Sequence, residues 1–412
     1  MKYKVSILLI SVAASLIPAL PAQQLALKDG DRVAFYGDSI TAQRFYTRYV
    51  EDFLLTRYPN LHVEFFNAGI PGDNVNGGYT GDAQLRLKRD LFPHQPNVVT
   101  IMLGMNDGFY SPFDPKYLDI YSTGYHKLLD SIQSTLPGVR ITVISPTPYD
   151  ETTHGTEFPH YNETMTRYTA WDRDLAAESH FTYADFNTPM NRLTAKAVEL
   201  NPSFAELLIP DRIHPSEPAQ WIMAAVLARS WNFSPVVANV HIDASQPAAT
   251  SSDNAQISNI AANSGKLTWT ELDGSLPLPL DLENRLLGFI VNISDLADMD
   301  QEMLRVDHLA ASRYTLKIDG RTIASFDRSE LEKGVNLALY DTPMEGQARD
   351  IDEIERKRMW LDDTHFVIVQ EGPQLPDEAS LAKPLEEKDA QLQAEQHKNA
   401  QPKPHTFELD PQ

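Results

Sequence analysis

From Gln24 to about Val240, short apolar runs alternate with longer stretches whose apolar residues recur every three to four positions. Arg32–Tyr36, His62–Phe66, Val98–Leu103, Arg140–Ile144 and Phe181–Asp185 read as strands. Val98–Leu103 is apolar at almost every position, which suits a strand covered on both faces of a parallel sheet. Between these runs lie helical stretches. In Gln43–Arg57, residues Phe45, Tyr49, Phe53 and Leu54 form one stripe, and Pro59 stands beyond its end. Asp82–Leu91, Lys116–Leu136, Tyr161–Ser179 and Glu217–Trp231 follow the same pattern. Strand and helix in alternation predict an α/β fold whose central parallel sheet is covered by helices on both sides.

Near His241 the pattern changes. Residues 241–263 are rich in Ala, Ser, Asn and Gln and read as a linker. Residues 264–370 read as a smaller accessory α+β region: Lys266–Trp269 as a strand, then a hairpin of Tyr314–Ile318 and Arg321–Phe326 joined by Asp319-Gly320. Asp327 is placed to cap a helical turn ended by Gly334, and Asp350–Trp360 reads as a charged helix. Residues 371–412 are polar, with repeated Pro, Glu, Lys and Gln, and read as a disordered or only partly helical tail. There are no internal repeats.

A chain of 412 residues with 42% hydrophobic residues fits two domains with a sizeable core. Lys and Arg total 35 against 57 Asp and Glu, for a formal charge of -22. That balance argues against nucleic acid as a partner and against attachment to anionic lipid. The absence of cysteine excludes disulfides, thiolate metal sites, a Cys nucleophile and a lipidated Cys anchor. Lys2 and Lys4, the apolar run Val5–Ile17 and the small residues up to Ala22 read as a secretory leader over residues 1–22. The expectation is a secreted or periplasmic protein without a stable membrane anchor once the leader is cut.

Four loop blocks stand in order: Gly37-Asp38-Ser39, Asn67 to Asp73, Gly104-Met105-Asn106-Asp107 and Asp211-Arg212-Ile213-His214. Three of them follow expected strands. In a doubly wound sheet the loops at the carboxyl ends of strands meet in one crevice. Ser39 is a weak nucleophile until a base takes its proton, and His214 is a residue type able to do so near neutrality. Asp211, three residues before His214, can turn back to orient the imidazole. The backbone N–H groups of Ser39 and Gly72 and the side-chain amide of Asn106 are candidate donors to a developing oxyanion, each worth roughly 10²–10³ in rate. Each residue alone also has a bland reading as a turn or cap.

Together the blocks resemble the SGNH (GDSL-type) hydrolase superfamily over residues 24–240. The Ser of Gly-Asp-Ser, a Gly, the Asn of Gly-x-Asn-Asp and the His of Asp-x-x-His match Ser39, Gly72, Asn106 and His214, with Asp211 completing the set. Asn67 and Asp73 fit the second block, which favours Gly72 over Gly69 as donor. The first block ends in Ile40 where Gly-Asp-Ser-Leu is usual. The resemblance implies a flavodoxin-like α/β/α sandwich and ester hydrolysis with no cofactor and no metal. An exported member with an added region resembles carbohydrate esterases that remove O-acetyl groups. Tyr79, Phe109, Tyr110, Phe113 and Tyr149 lie near the motif loops as a candidate sugar platform. Lipid esterase or thioesterase activity, and an inactive carbohydrate-binding role, are the alternatives. His308 and His365 lack companions at metal-ligand spacing and read as packing or surface residues.

Overall fold

The structure, a computed structural model, describes residues 24–155, 157–366, 368 and 378–412; the expected leader lies outside them. Five parallel strands form the first sheet: β1 (Arg32–Gly37), β2 (Glu64–Gly69), β3 (Val98–Met102), β4 (Arg140–Ile144) and β5 (Thr182–Ala184). Their order is β2-β1-β3-β4-β5, the flavodoxin-like arrangement. Register puts Gly69, Gly37, Met102, Ile144 and Ala184 in one row at the carboxyl edge, so the loops after β1, β2 and β3 leave side by side.

Helices cover both faces. A short α1 (Ser39–Ala42) leads into α2 (Phe45–Arg57), and α3 (Pro115–Thr135), α4 (Tyr161–Ser179), α5 (Asn187–Leu200) and α6 (Glu217–Ser230) follow. Phe35 packs edge-on against Tyr46 of α2, while its neighbour Tyr36, facing the other way, lies under Arg86. Tyr49 of α2 stacks on Trp221 of α6, and Tyr121 of α3 stacks on Tyr168 of α4. Thus the alternation of apolar runs became an α/β sandwich, as its pattern implied.

The C-terminal half is more ordered than its composition suggests. The end of β6 (Val236–Asp243) and the whole of β7 (Ala248–Asp253) and β8 (Ala255–Asn263) occupy the expected linker, and β9 (Lys266–Asp273) extends the strand expected at Lys266–Trp269. They are followed by α7 (Arg285–Ile293), β10 (Gln301–Asp307), β11 (Arg313–Ile318), β12 (Arg321–Asp327) and β13 (Val335–Asn336). Then come the long helices α8 (Pro343–Phe366) and α9 (Glu378–Asn399) and the last strand, β14 (His405–Pro411). Two sheets result, ordered β13-β10-β6-β7 and β8-β9-β14-β11-β12. Val240, Ile242, Leu304 and Val306 of one sheet share a core with Trp269, Leu316, Phe407 and Leu409 of the other. The Asp319-Gly320 hairpin is present with both residues at positive φ, and Asp327 forms a capping box with Glu330.

Two boundaries need correction. The linker reading of residues 241–263 fails because edge strands are held by a backbone ladder, which small polar residues join as readily as apolar ones; β7 is exposed at every position. The disordered-tail reading fails for the described part of residues 371–412. There α9 pairs with α8, and β14 is the middle strand of its sheet with His405, Phe407 and Leu409 turned inward. Residues of the accessory span also join the first core: Leu278, Leu280, Leu287, Ile290 and Leu296 pack with the α/β domain.

Candidate active site

β1 ends at Gly37, where a Cβ would collide with Thr41 Oγ1 and the Met102 carbonyl oxygen, so glycine lets the chain fold back across the sheet edge. Asp38, extended and buried, caps α1 by accepting the N–H of Ile40 at 3.0 Å. Ser39 is the first residue of α1, and its backbone N–H, in the opening turn, has no partner within the helix.

Far along the chain, the segment before α6 brings an imidazole to the same place. Arg212 takes a left-handed φ of 72°, and its carbonyl accepts the N–H of Asp150 at 2.9 Å, which ties this loop to the one after β4. Asp211 Oδ1 accepts the backbone N–H groups of Ile213 at 3.0 Å and His214 at 2.7 Å. Its other oxygen lies 2.6 Å from His214 Nδ1, and His214 Nε2 lies 2.7 Å from Ser39 Oγ. With Nδ1–H donating to the carboxylate, Nε2 is left to accept from the serine hydroxyl. Partial burial opposes the charge on Asp211, but the hydrogen bonds from His214 and Ile213 outweigh it and hold the carboxyl below its ordinary range. His214 and Asp211 stay accessible, with side chains 27% and 54% exposed.

The second and third loops are bolted together beside this row. Asp73 N–H bonds back to the Ile70 carbonyl at 3.2 Å, closing a turn in which Gly72 takes φ 75°, the conformation a type II turn requires. Arg86, fully buried, pairs with Asp73 and Asp90 and donates to the Ala68 carbonyl. Asn106 Nδ2 donates to the Asp73 carbonyl at 2.8 Å, so the third block is tied to the residue after Gly72. Asn67 Nδ2 donates to the Thr41 carbonyl at 2.8 Å, tying β2 to α1. Burial pushes the carboxyl of Asp38 up to about 6 and that of Asp107 up to about 7; for Asp107 the N–H of Val75 pulls the other way.

The candidate aromatic platform divides. Tyr79 and Phe109 are exposed, whereas Tyr149 is buried against Phe158 and Tyr161 and is a core residue. Tyr110 serves the third block instead, its hydroxyl donating to Asn106 Oδ1 at 2.8 Å. Phe113 lies half-buried under Arg167. His308 and His365 face Asp243 and Glu386. Among the described residues, no group of three His, Cys, Asp or Glu side chains is arranged to hold a metal ion.

Sequence reasoning missed how closely the accessory half approaches. Arg44, just past α1, pairs with Asp362 at 2.8 Å and Asp363 at 3.5 Å on α8. Glu217, just past His214, accepts from Arg48 at 2.9 Å and from Arg356 of α8 at 3.1 Å. The signal was present only as charge on both helices, which reads equally well as a solvated face.

The model of the GDSL-like Lipase/Acylhydrolase family matches residues 35–222. An acetylxylan esterase of Geobacillus stearothermophilus is 26% identical over 230 residues, which is 97% of that protein and 51% of this chain. A crystal structure of an acetylxylan esterase from Geobacillus stearothermophilus is 25% identical and covers 51% of this chain and 98% of its own, with a TM-score of 0.41. A solved gut microbial diltiazem-metabolizing enzyme is 25% identical, covers 94% of this chain and 98% of its own, and superposes with a TM-score of 0.81. Its likeness therefore extends through the C-terminal half. The chain carries, in residues 35–222, a domain of the GDSL-like lipase/acylhydrolase (SGNH) family, and it is a serine hydrolase of ester bonds.

Proposed function

We propose that this protein is an exported esterase that removes O-acetyl groups from carbohydrates through Ser39, His214 and Asp211 by way of an acetyl-enzyme. The observation that carries this reading is the continuous hydrogen-bonded path from Ser39 Oγ to His214 Nε2, 2.7 Å, and from His214 Nδ1 to Asp211 Oδ2, 2.6 Å. Export rests on the leader-like residues before Gln23.

In the first step Ser39 Oγ attacks the acetyl carbonyl carbon and its proton passes to His214 Nε2. The oxyanion is held by the N–H groups of Ser39 and Gly72 and by Asn106 Nδ2. The bond to the sugar oxygen then breaks, and the imidazolium returns its proton to the leaving alcohol. Water attacks the acetyl-Ser39 carbonyl with His214 again as base, acetate departs and the Ser39 hydroxyl is restored. Asp211 keeps the imidazole in the required tautomer and stabilises its cation.

Carbohydrate acetate is favoured by similarity to nearly the whole of an acetylxylan esterase. The test is acetate release from acetylated xylan and pectin, set against butyrate and longer acyl esters, with diltiazem added because the neighbour that covers 94% of this chain is a diltiazem-metabolizing enzyme. Ser39→Ala is expected to lower kcat by roughly 10⁴–10⁶. Full activity in that variant would overturn the assignment of Ser39. Faster turnover of long acyl chains than of acetates would replace the acetyl reading with a lipid-esterase one.

A further inference from the structure

Of five tryptophans, Trp221, Trp231 and Trp269 are buried and Trp171 is half-buried, but Trp360 on α8 is 67% exposed. A lone exposed aromatic means little in itself. Its position gives it meaning. Residues 356, 360 and 363 of α8 lie four and three apart and so share one stripe of the helix. At one end of that stripe Arg356 is held 3.1 Å from Glu217, three residues past His214. At the other end Asp363, with its neighbour Asp362, holds Arg44, five residues past Ser39. The buried face of α8, with Met344, Ala348 and Ile351, turns into the accessory core, and Arg358 turns to Asp389 of α9. Trp360 is thus left facing solvent between two anchors, one on the helix that follows the imidazole and one just past the helix that begins with the serine.

We propose that Trp360 is a specificity residue: its indole stacks on a ring carried by the alcohol half of the ester while the acetyl group sits at Ser39. The inference rests on the esterase reading above and names what that site selects. In the proposed reaction the alcohol half departs toward solvent, so its ring lies at the rim, where an exposed indole can meet it. An indole supplies a large flat apolar face with few rotatable bonds, matched to the C–H face of a pyranose or to an aryl ring. Ion pairs on either side of Trp360 fix its helix beforehand, so little order has to be gained on binding.

The test uses the full chain and its Trp360→Ala and Trp360→Phe variants on three acetates: methyl acetate, an acetylated xylo-oligosaccharide and 2-naphthyl acetate. The readout is the ratio of kcat/KM on each ring-bearing acetate to kcat/KM on methyl acetate. Trp360→Ala is expected to lower that ratio about tenfold, through KM, with Trp360→Phe recovering most of it. A fall confined to the xylo-oligosaccharide identifies the ring as a sugar, and one confined to the naphthyl ester identifies it as aryl. An unchanged ratio for both overturns the proposal, as does an equal loss on all three substrates accompanied by a lower Tm. A wild-type protein that turns over methyl acetate but neither ring-bearing ester overturns it while leaving the esterase reading standing. A wild-type protein that hydrolyses none of the three rejects the esterase reading itself, and this proposal with it.

Discussion

The hydroxyl of Tyr110 donates to Oδ1 of Asn106 at 2.8 Å, and the amide nitrogen on the other side donates to the Asp73 carbonyl at 2.8 Å. The two bonds fix the orientation of the amide, because its oxygen is claimed by a donor and its nitrogen by an acceptor. The remaining Nδ2 proton is the one available to an oxyanion. Tyr110 is held in turn by packing on Phe158 and Tyr161, in a left-handed backbone conformation shared with Phe109. Such backbone conformations persist where the surroundings enforce them. Tyr110→Phe keeps the ring and removes the hydroxyl. One hydrogen bond of this kind is worth about 1 kcal/mol, so kcat should fall about fivefold with KM little changed. Asn106→Ala should cost about 10²–10³ in kcat, and in an Asn106→Ala background the Tyr110→Phe effect should vanish. Additive losses would show that Tyr110 acts by some route other than Asn106.

Asp211 uses both oxygens at once, one for backbone N–H groups and one for His214 Nδ1. Asp211→Asn can keep the first set through its amide oxygen, but it presents an N–H₂ to the imidazole. Nδ1 would then have to accept, which moves the ring proton to Nε2, the wrong side for taking a proton from Ser39. kcat on a chromogenic acetate should fall by roughly 10²–10⁴ with an unchanged fold by circular dichroism. The lower figure is favoured because Asp211 is 54% exposed and water can compete for the ring. A drop below threefold would mean that the imidazole holds its tautomer without this carboxylate.

Asp107 is buried, with one oxygen accepting the Val75 N–H at 3.0 Å and the other unpartnered, and its carboxyl is pushed up to about 7. Burial is the main cause and the charge on Asp38 adds to it. A carboxyl whose folded pKa lies above its unfolded value, about 4, stabilises the fold fully below that lower value. The contribution is lost as pH rises through about 7. Asp107→Asn cannot titrate. The difference in Tm, variant minus wild type, should therefore increase between about pH 4 and pH 7 and level off above. A difference that stays constant across that window would show that Asp107 ionises as freely in the fold as in the unfolded chain.

Much of the first half was legible because its determinants are local. Val98–Met102 is apolar at all but Thr100 because helices cover both sides of β3, and three of the four motif loops start where a strand stops. Asp319-Gly320 announced its hairpin because few other residue pairs take two positive φ values in succession. The interface between the halves was hidden for the opposite reason. Arg44 and Asp362 are 318 positions apart, and Arg48 and Asp52 on α2 and Glu355 on α8 look like the wet sides of helices until the two helices pack together. Charged pairs carry no periodicity that distinguishes a solvated face from a buried network. Nor could spacing reveal that the Tyr110 ring, one of several loop aromatics, serves an amide rather than a sugar.

β14 supplies the sharpest contrast between composition and structure. His405–Pro411 follows a long polar stretch, yet it lies between β9 and β11 in the middle of a five-stranded sheet. Phe407 stacks on Trp269 with ring centroids 5.1 Å apart, and Leu409 sits opposite Leu267 and Leu316. Lys266 and Lys317 reach across from the flanking strands to Asp410. A chain ending at Ala400 loses this strand and leaves two edges where β9 and β11 had partners, with Trp269 uncovered. Burying one large aromatic and one leucine contributes about 1.5–3 kcal/mol each, before the lost ladder is counted, against a total stability of about 5–15 kcal/mol. The truncated protein should therefore show a red-shifted tryptophan emission, a lower unfolding midpoint in urea and a tendency to associate through the open edges. A dispensable tail would leave all three unchanged, and that result would remove β14 from the sheet.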